Sequence, residues 1–334
     1  MQQRRFAAWM AALAVSIVIL SACALCMGQF HIAPGVVWAE ICGRGEGSTN
    51  VHTVLFNIRI PRILLALLAG AGLSSAGAAF QSLFANPLAT PDTLGVANGA
   101  SFGAALGILV GFGATQVQLS AFLFGVLSVV LVFTVTKTAA GGRPSMIMVI
   151  LAGMVISSLF SALVSLVKYV ADPQDVLPVI TFWLMGSFSG VTRASLVMGA
   201  PVILTGTLLI FFLRFRLNAL SLPEDEARAL GTNLPLLRGL VILSATAITA
   251  TLVALCGVIG WVGLLIPHIA RMAFGNNNCY VVPFSVLAGA LFMLATDTAA
   301  RCVSASEIPV SILTAVIGAP VFILLLRKTG GFRA

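Results

Sequence analysis

Residues 93–136 contain no Asp, Glu, Lys or Arg, and the same absence of charge recurs at 6–39, 63–91, 144–167, 194–213, 239–270, 272–296 and 308–326. Runs of this length exclude a soluble core, because a helix crossing a bilayer needs ~20 apolar residues. They are continuous rather than alternating, which excludes a transmembrane barrel. With 59% hydrophobic and 8% charged residues in 334, the chain has room for about ten spans joined by short loops. The expected fold is an all-α polytopic membrane protein, a single transmembrane domain over 1–334.

The gaps also set the span boundaries. The run at 93–136 is long enough for two helices, broken near Gly111-Phe-Gly113, and that at 239–270 holds one full helix and a shorter one separated by glycines at 257, 260 and 263. The stretch 176–192, with Pro178 and two glycines, is too short to cross and predicts a short outer helix over 176–186. The ten predicted spans are 7–29, 63–84, 93–110, 118–136, 145–168, 194–213, 238–256, 262–273, 281–300 and 308–327. The start of the chain resembles a signal peptide ending at Ser21-Ala-Cys23, but the apolar run continues to Phe30, which favours an uncleaved first helix.

Charge placement orients the chain. An inside N-terminus puts twelve of the eighteen basic residues in the cytoplasm, among them Arg4, Arg5, Lys137, Arg143, Arg214, Arg216, Arg228, Arg238, Arg271 and Arg327, in keeping with the positive-inside rule. Both termini are then cytoplasmic. The net charge of +8 is therefore a topology signal; lipid is the expected surrounding and no nucleic-acid partner is expected. The six cysteines show no metal or redox spacing, so no metal or cofactor is expected, although Cys42 and Cys302 both fall in outer loops where a disulfide is chemically allowed.

Two surface patterns stand out within the spans. Gly95, Gly99, Gly103, Gly107 and Gly111 recur every fourth residue, a small face suited to close helix approach. Ser157, Ser161 and Ser165 recur in the same way, with Lys168 one turn on, on one face of the fifth span. Two readings of that stripe stand open: serines bonded back to their own helix, or the wall of a translocation path with Lys168 at its outer mouth.

Ionisable groups decide between transport mechanisms. Asp297 is the one carboxylate within a predicted span, a poor basis for the relay of buried acids that an ion-coupled secondary transporter uses. The sequence contains no G-x-x-x-x-G-K-[ST] phosphate loop, so any ATPase must be a partner chain. No nucleophile with a base stands at membrane depth, which argues against an intramembrane enzyme. His268, at the inner end of the eighth span, is read as a headgroup-level or inter-helix hydrogen-bonding residue.

The most densely charged stretch, 217–231, is placed in the cytoplasm. Ser221-Leu-Pro-Glu224 fits a capping box, three acids occupy the first turn, and Gly231 can end it, so a short surface helix is predicted. An ordinary solvated loop is the alternative.

Several motifs then coincide in order. They are Arg59-Ile-Pro-Arg62, Asn86-Pro-Leu-Ala89, Leu94-Gly-Val-Ala-Asn98-Gly99, Phe182-Trp-Leu-Met-Gly-Ser187, Ala229-Leu-Gly231, the run from Gly260 to Arg271, Glu307-Ile-Pro309 and Ile317-Gly-Ala-Pro320. Together they resemble the FecCD family of ABC importer permeases, which serve ferric siderophores, haem and vitamin B12. The resemblance covers about Arg59 to Lys328 and implies a BtuC-like type II importer fold in the bacterial inner membrane. It also implies a second permease subunit, a cytoplasmic ABC ATPase dimer and an extracytoplasmic substrate-binding protein.

Carried residue by residue, the resemblance implies that the loop 217–235 couples to the ATPase through Leu222, Glu224, Asp225, Glu226, Ala227, Arg228, Ala229, Leu230 and Gly231. It implies that Arg59, Arg62 and Arg301 dock the binding protein, and that a cytoplasmic gate lies in Gly141–Met146. Guanidinium forks at outer helix ends suit that docking, since they make bidentate pairs with carboxylates. One motif departs from the family: Gly257-Val-Ile-Gly-Trp261 stands where Gly-Pro-Ile-Gly-Phe is usual, leaving the helix boundaries there open.

Overall fold

The charge-free runs become helices, and their breaks fall where glycine and proline interrupt them. A computed structural model describes residues 2–44, 49–139, 145–304 and 306–328. In chain order the helices are α1 (Gln2–Cys26), α2 (Pro34–Ile41), α3 (Thr49–Thr53), α4 (Ile60–Leu83), α5 (Val96–Leu109), α6 (Ala114–Ala139) and α7 (Met146–Val170). They continue as α8 (Val176–Leu184), α9 (Arg193–Leu217), α10 (Glu224–Ala229), α11 (Leu234–Cys256), α12 (Val262–Phe274), α13 (Asn278–Val303) and α14 (Val310–Lys328). No strand occurs among the described residues.

Each of the ten predicted spans coincides with a helix. Seven helices among the described residues are long and apolar enough to cross a membrane, and three shorter apolar ones, at Val96–Leu109, Val262–Phe274 and Val310–Leu325, complete the set. Two of the short ones follow folded-back chain. After α4 the segment 84–95 turns back into the bundle before α5 begins, and after α11 the non-helical segment 257–261 does the same before α12. Irregular backbone at such depth is tolerated where protein surrounds it or it lines a cavity. The short helix expected at 176–186 is α8, and the open boundary in the departing motif resolves as a break with Trp261 at φ 70°.

Backbone proximity, rather than large side chains, holds the centre together. In lipid there is little hydrophobic drive between helices, so van der Waals contact through small residues takes its place. A Cβ on Gly70 would stand 2.0 Å from the Gly289 carbonyl oxygen of α13, and one on Gly77 would stand 1.8 Å from that of Gly263 in α12. The small face of the third span packs likewise: a Cβ on Gly99 or Gly103 would lie 2.6 Å from the Phe124 oxygen or 2.5 Å from the Ser120 oxygen of α6. The two ends of that stripe serve turns instead, with Gly95 as the left-handed N-cap of α5 and Gly111 just beyond its end. Helix α1 joins the bundle through edge-to-face contacts of Phe6 with Phe274 and Tyr280 and of Trp9 with Phe284.

Candidate functional site

Helix α7 presents its serines outward. Ala152, Gly153, Ile156 and Phe160 are buried, while Ser157, one turn beyond Gly153, is half-buried and Ser161 and Ser165 are exposed. A groove runs along them, lined by Asn98, Ser157, Ser158, Ser161 and Ser165. Asn98 Nδ2 donates to Ser157 Oγ at 2.5 Å, tying α5 to α7 at the level where the groove begins. Ser165 donates to the Ser161 carbonyl at 3.0 Å and Ser158 to that of Met154 at 2.9 Å. Of the stripe, Ser165 is thus bonded back to its own helix while facing open space. Lys168 is half-buried one turn further on and is not among the residues lining the groove.

The groove continues inward as a cleft between α7 and the folded-back segment, bordered by Asn86, Leu88, Asp92, Thr93, Gly153 and Ser157. Gly153 permits that contact, since a Cβ there would stand 2.3 Å from the Thr93 carbonyl oxygen. Asp92 and Asn98 were missing from the sequence reading. Asn98 lay within a quoted motif, but nothing local signals that the chain after α4 returns to the middle of the bundle. Asp297 is therefore not alone at membrane depth, because Asp92 lines cavities shared with Leu73 and Thr249, midway along α4 and well inside α11.

The three arginines expected to dock a partner do converge, and all three are buried within the chain. Arg62 donates to Asp297 Oδ1 at 2.9 Å and to both Glu307 oxygens at 2.8 and 3.0 Å. Arg59 donates to the carbonyls of Leu25 and Phe30, capping the C-terminal end of α1, where a cation complements the helix dipole. Arg301 lies 3.3 Å from Asp297 Oδ2, but its Nε and Nη2 make no hydrogen bond. Gly28 sits against this cluster, with a Cβ position 3.2 Å from Arg59 Nη2 and 3.8 Å from Arg301 Nη1. Cys42 and Cys302 are both free.

At the other end, the charged loop folds as a turn of 3₁₀ helix, Asn218–Ser221, followed by α10. The capping box does not form: Pro223 occupies the N-cap and no side chain caps it. The acids of the first turn, Glu224, Asp225 and Glu226, complement the dipole instead. Glu224 also receives Arg238 at 2.8 Å and Arg228 at 3.4 Å. Gly231, at φ 72°, ends the helix as predicted, its N–H reaching the Arg228 carbonyl and that of Thr232 reaching Ala227. Leu222, Glu224, Asp225, Glu226, Arg228, Ala229, Leu230 and Gly231 are exposed. Ala227 is fully buried, so it seats α10 on the bundle rather than facing outward.

A polar network beneath this loop went unread in the sequence. Arg271 of α12 donates to Gln81 and Ser82 of α4, to the Ala78 carbonyl and to Asn278 of α13. Asn218, at the root of the loop, accepts from the Asn278 backbone and side chain at 2.8 and 3.0 Å. The loop is thereby tied to three helices of the bundle. His268 departs from expectation: both ring nitrogens are buried without a hydrogen-bond partner, and the ring packs 5.4 Å from Phe322. The segment expected to hold the cytoplasmic gate, Gly141–Met146, lies mostly outside the described residues, and only Ser145 and Met146 are seen.

Known proteins resemble the chain over almost its whole length. The FecCD transport family matches residues 15–328. The molybdate import system permease protein MolB of Haemophilus influenzae is 42% identical over 320 residues, covering 95% of this chain and 94% of its own. The vitamin B12 import system permease protein BtuC of Salmonella arizonae is 36% identical, covering 98% and 96%. Among solved structures, an inward-facing conformation of a metal-chelate type ABC transporter superposes with a TM-score of 0.85 at 40% identity, over 96% of this chain and 98% of that one.

Proposed function

The chain belongs to the FecCD transport family, and from that premise we propose that it forms the path by which a metal chelate enters the cytoplasm. It is an ABC importer permease, a multi-pass membrane protein and a transport component whose ATPase resides on a separate subunit. In the proposed assembly two permease subunits face each other, an extracytoplasmic binding protein delivers the chelate, and an ATPase dimer drives the cycle from the cytoplasm. Both termini lie on the ATPase side.

The observation that carries the substrate class is the chemistry of the groove on α7. Its described lining offers serine hydroxyls and the Asn98 amide, with no guanidinium or ammonium group. Neutral hydrogen-bonding walls suit a large complex that shields its metal behind its own ligand atoms, an iron siderophore, haem or cobalamin. A bare oxyanion would cross this stretch without countercharge. The identity to MolB supports the alternative cargo, molybdate, and makes it the comparison to run.

The remaining parts take roles consistent with their placement. The exposed residues of α10 are the proposed contact with the ATPase, and the Asn218–Asn278–Arg271 network is the proposed link by which movement of α10 reaches α4, α12 and α13. Arg59, Arg62 and Arg301 are the proposed docking cluster, with Arg301 held by the single Asp297 contact where Arg62 is held by two acids.

The test is uptake into proteoliposomes holding the complete importer, with radioiron hydroxamate or haem and radiomolybdate supplied in parallel. Binding-protein-dependent, ATP-driven entry of an iron complex is expected. Entry of molybdate alone would replace the chelate reading, and uptake driven by an ion gradient without ATP would favour the secondary-transporter alternative.

A further inference from the structure

Two carboxylates lie at membrane depth, and the chain treats them in opposite ways. Asp297 is fully buried and has Arg62 at 2.9 Å and Arg301 at 3.3 Å. Asp92 forms no ion pair among the described residues; its Oδ1 accepts the Ala97 N–H at 2.7 Å. Asp92 is half-buried, and a carboxylate at this depth without a positive partner favours a compensating cation.

The cavity beside Asp92 supplies oxygen ligands and no basic side chain. Its volume is about 220 Å³, and it is enclosed by Leu73, the segment from Thr90 to Asp92, Thr249, Val253 and the non-helical run 257–261. Thr249 is only 3% exposed and its Oγ1, buried in the wall, has no hydrogen-bond partner. The Gly257, Val258 and Ile259 carbonyls accept no backbone hydrogen bond among the described residues, because the break between α11 and α12 leaves them outside either helix. The cavity also borders the C-terminal end of α11, the negative pole of its dipole. Unwound carbonyls and helix C-termini are the groups that coordinate small cations inside membrane proteins.

We propose that this cavity is a binding site for a monovalent metal cation of the sodium class. Asp92 supplies the charge, and the Thr249 hydroxyl and the Gly257 and Ile259 carbonyls supply neutral oxygens, with room for water to complete the shell; the Val258 oxygen is turned toward Gly186 instead. A single carboxylate matches a single positive charge, whereas divalent sites built by protein alone gather several acids. Because Asp92 also borders the cleft on α7, an occupied site neutralises the one acid beside the substrate groove. This inference is independent of which substrate the groove carries.

The experiment is equilibrium binding of radiosodium to the purified full-length chain in lipid nanodiscs, read by scintillation proximity. Saturable binding is expected, with Asp92→Asn weakening it by about tenfold or more, the scale of losing a charged ligand. Thr249→Val is expected to weaken it, and Thr249→Ser, which keeps the hydroxyl, to retain it; elution as a single species reports that each variant is folded. Absence of saturable binding in the wild type, or binding unchanged in Asp92→Asn, would overturn the proposal. So would an infrared band of a protonated carboxyl that persists in saturating sodium and vanishes in Asp92→Asn, since a proton would then be the compensating charge.

Discussion

Arg62 and Arg301 are equally buried yet differently employed, and this separates what their substitution should do. Arg62 holds both Asp297 and Glu307, so Arg62→Glu would leave three acids facing one another. Removing one partner of a buried pair costs about 3–5 kcal/mol, and the variant is expected to unfold at markedly lower temperature in detergent. Arg301→Gln is expected instead to retain the fold, because Arg62 still holds Asp297, and to lose most binding-protein-dependent uptake, because the proposed docking cation is gone. Comparing thermal unfolding with uptake for the two variants checks both statements; normal uptake by folded Arg301→Gln would sink the docking role. The arginines were legible in the sequence, but their acids were not. Arg62 and Asp297 are 235 positions apart, and no local pattern pairs them. Asp92 escaped for a related reason: its depth depends on chain folding back after α4, which composition does not encode.

At the scale of elements, α10 is short, exposed and anchored at both ends, by Asn218 before it and by the Arg238–Glu224 pair to α11. Replacing Glu224, Asp225 and Glu226 by alanine removes the first-turn charges, each worth about 0.3–1 kcal/mol to the helix, and the proposed contact surface with them. Purified complexes are expected to keep hydrolysing ATP while uptake falls; unchanged coupled uptake would count against the role of α10. The existence of this helix and its glycine stop were readable because charge density and a left-handed terminator are local signals. The capping box failed because Pro223 takes the N-cap position that Ser221 was expected to fill.

Helix α8 gives a pH-dependent case outside the spans. The Gln174 and Asp175 N–H groups donate to Asp172, holding its carboxyl below its ordinary range. A depressed folded-state value stabilises this turn fully above the ordinary carboxylate range and loses that contribution as pH falls through the lowered value. Hydrogen exchange over 174–177, corrected for intrinsic rates, is expected to quicken in acid in the wild type. The acceleration should be absent in Asp172→Asn.

For the whole molecule, the ten-span architecture was legible because charge is excluded from lipid at every crossing. The two breaks before α5 and α12 were placed by proline and glycine; what stayed hidden was that the chain at each folds back into the bundle, since no local pattern tells a buried loop from a surface one. Those breaks create the cleft and the cavity, so the parts of the site hardest to read are those built by irregular backbone. The serine stripe was visible, whereas its outward direction came only from seeing that Ala152, Ile156 and Phe160 are buried while Ser161 and Ser165 are exposed. An unfilled polar groove on the outside of one subunit fits a path completed by a second.

The central claim is that this groove carries the substrate, and modification at Ser161 tests it most directly. In a chain whose six native cysteines are replaced, Ser161→Cys is assembled with its partners and treated with a bulky thiol reagent before uptake is measured. The account predicts that labelling abolishes uptake of the iron complex while the unlabelled variant transports, and that labelling at Tyr169→Cys, an exposed residue of α7 outside the described groove lining, does not. Full uptake after complete labelling at position 161 would contradict it.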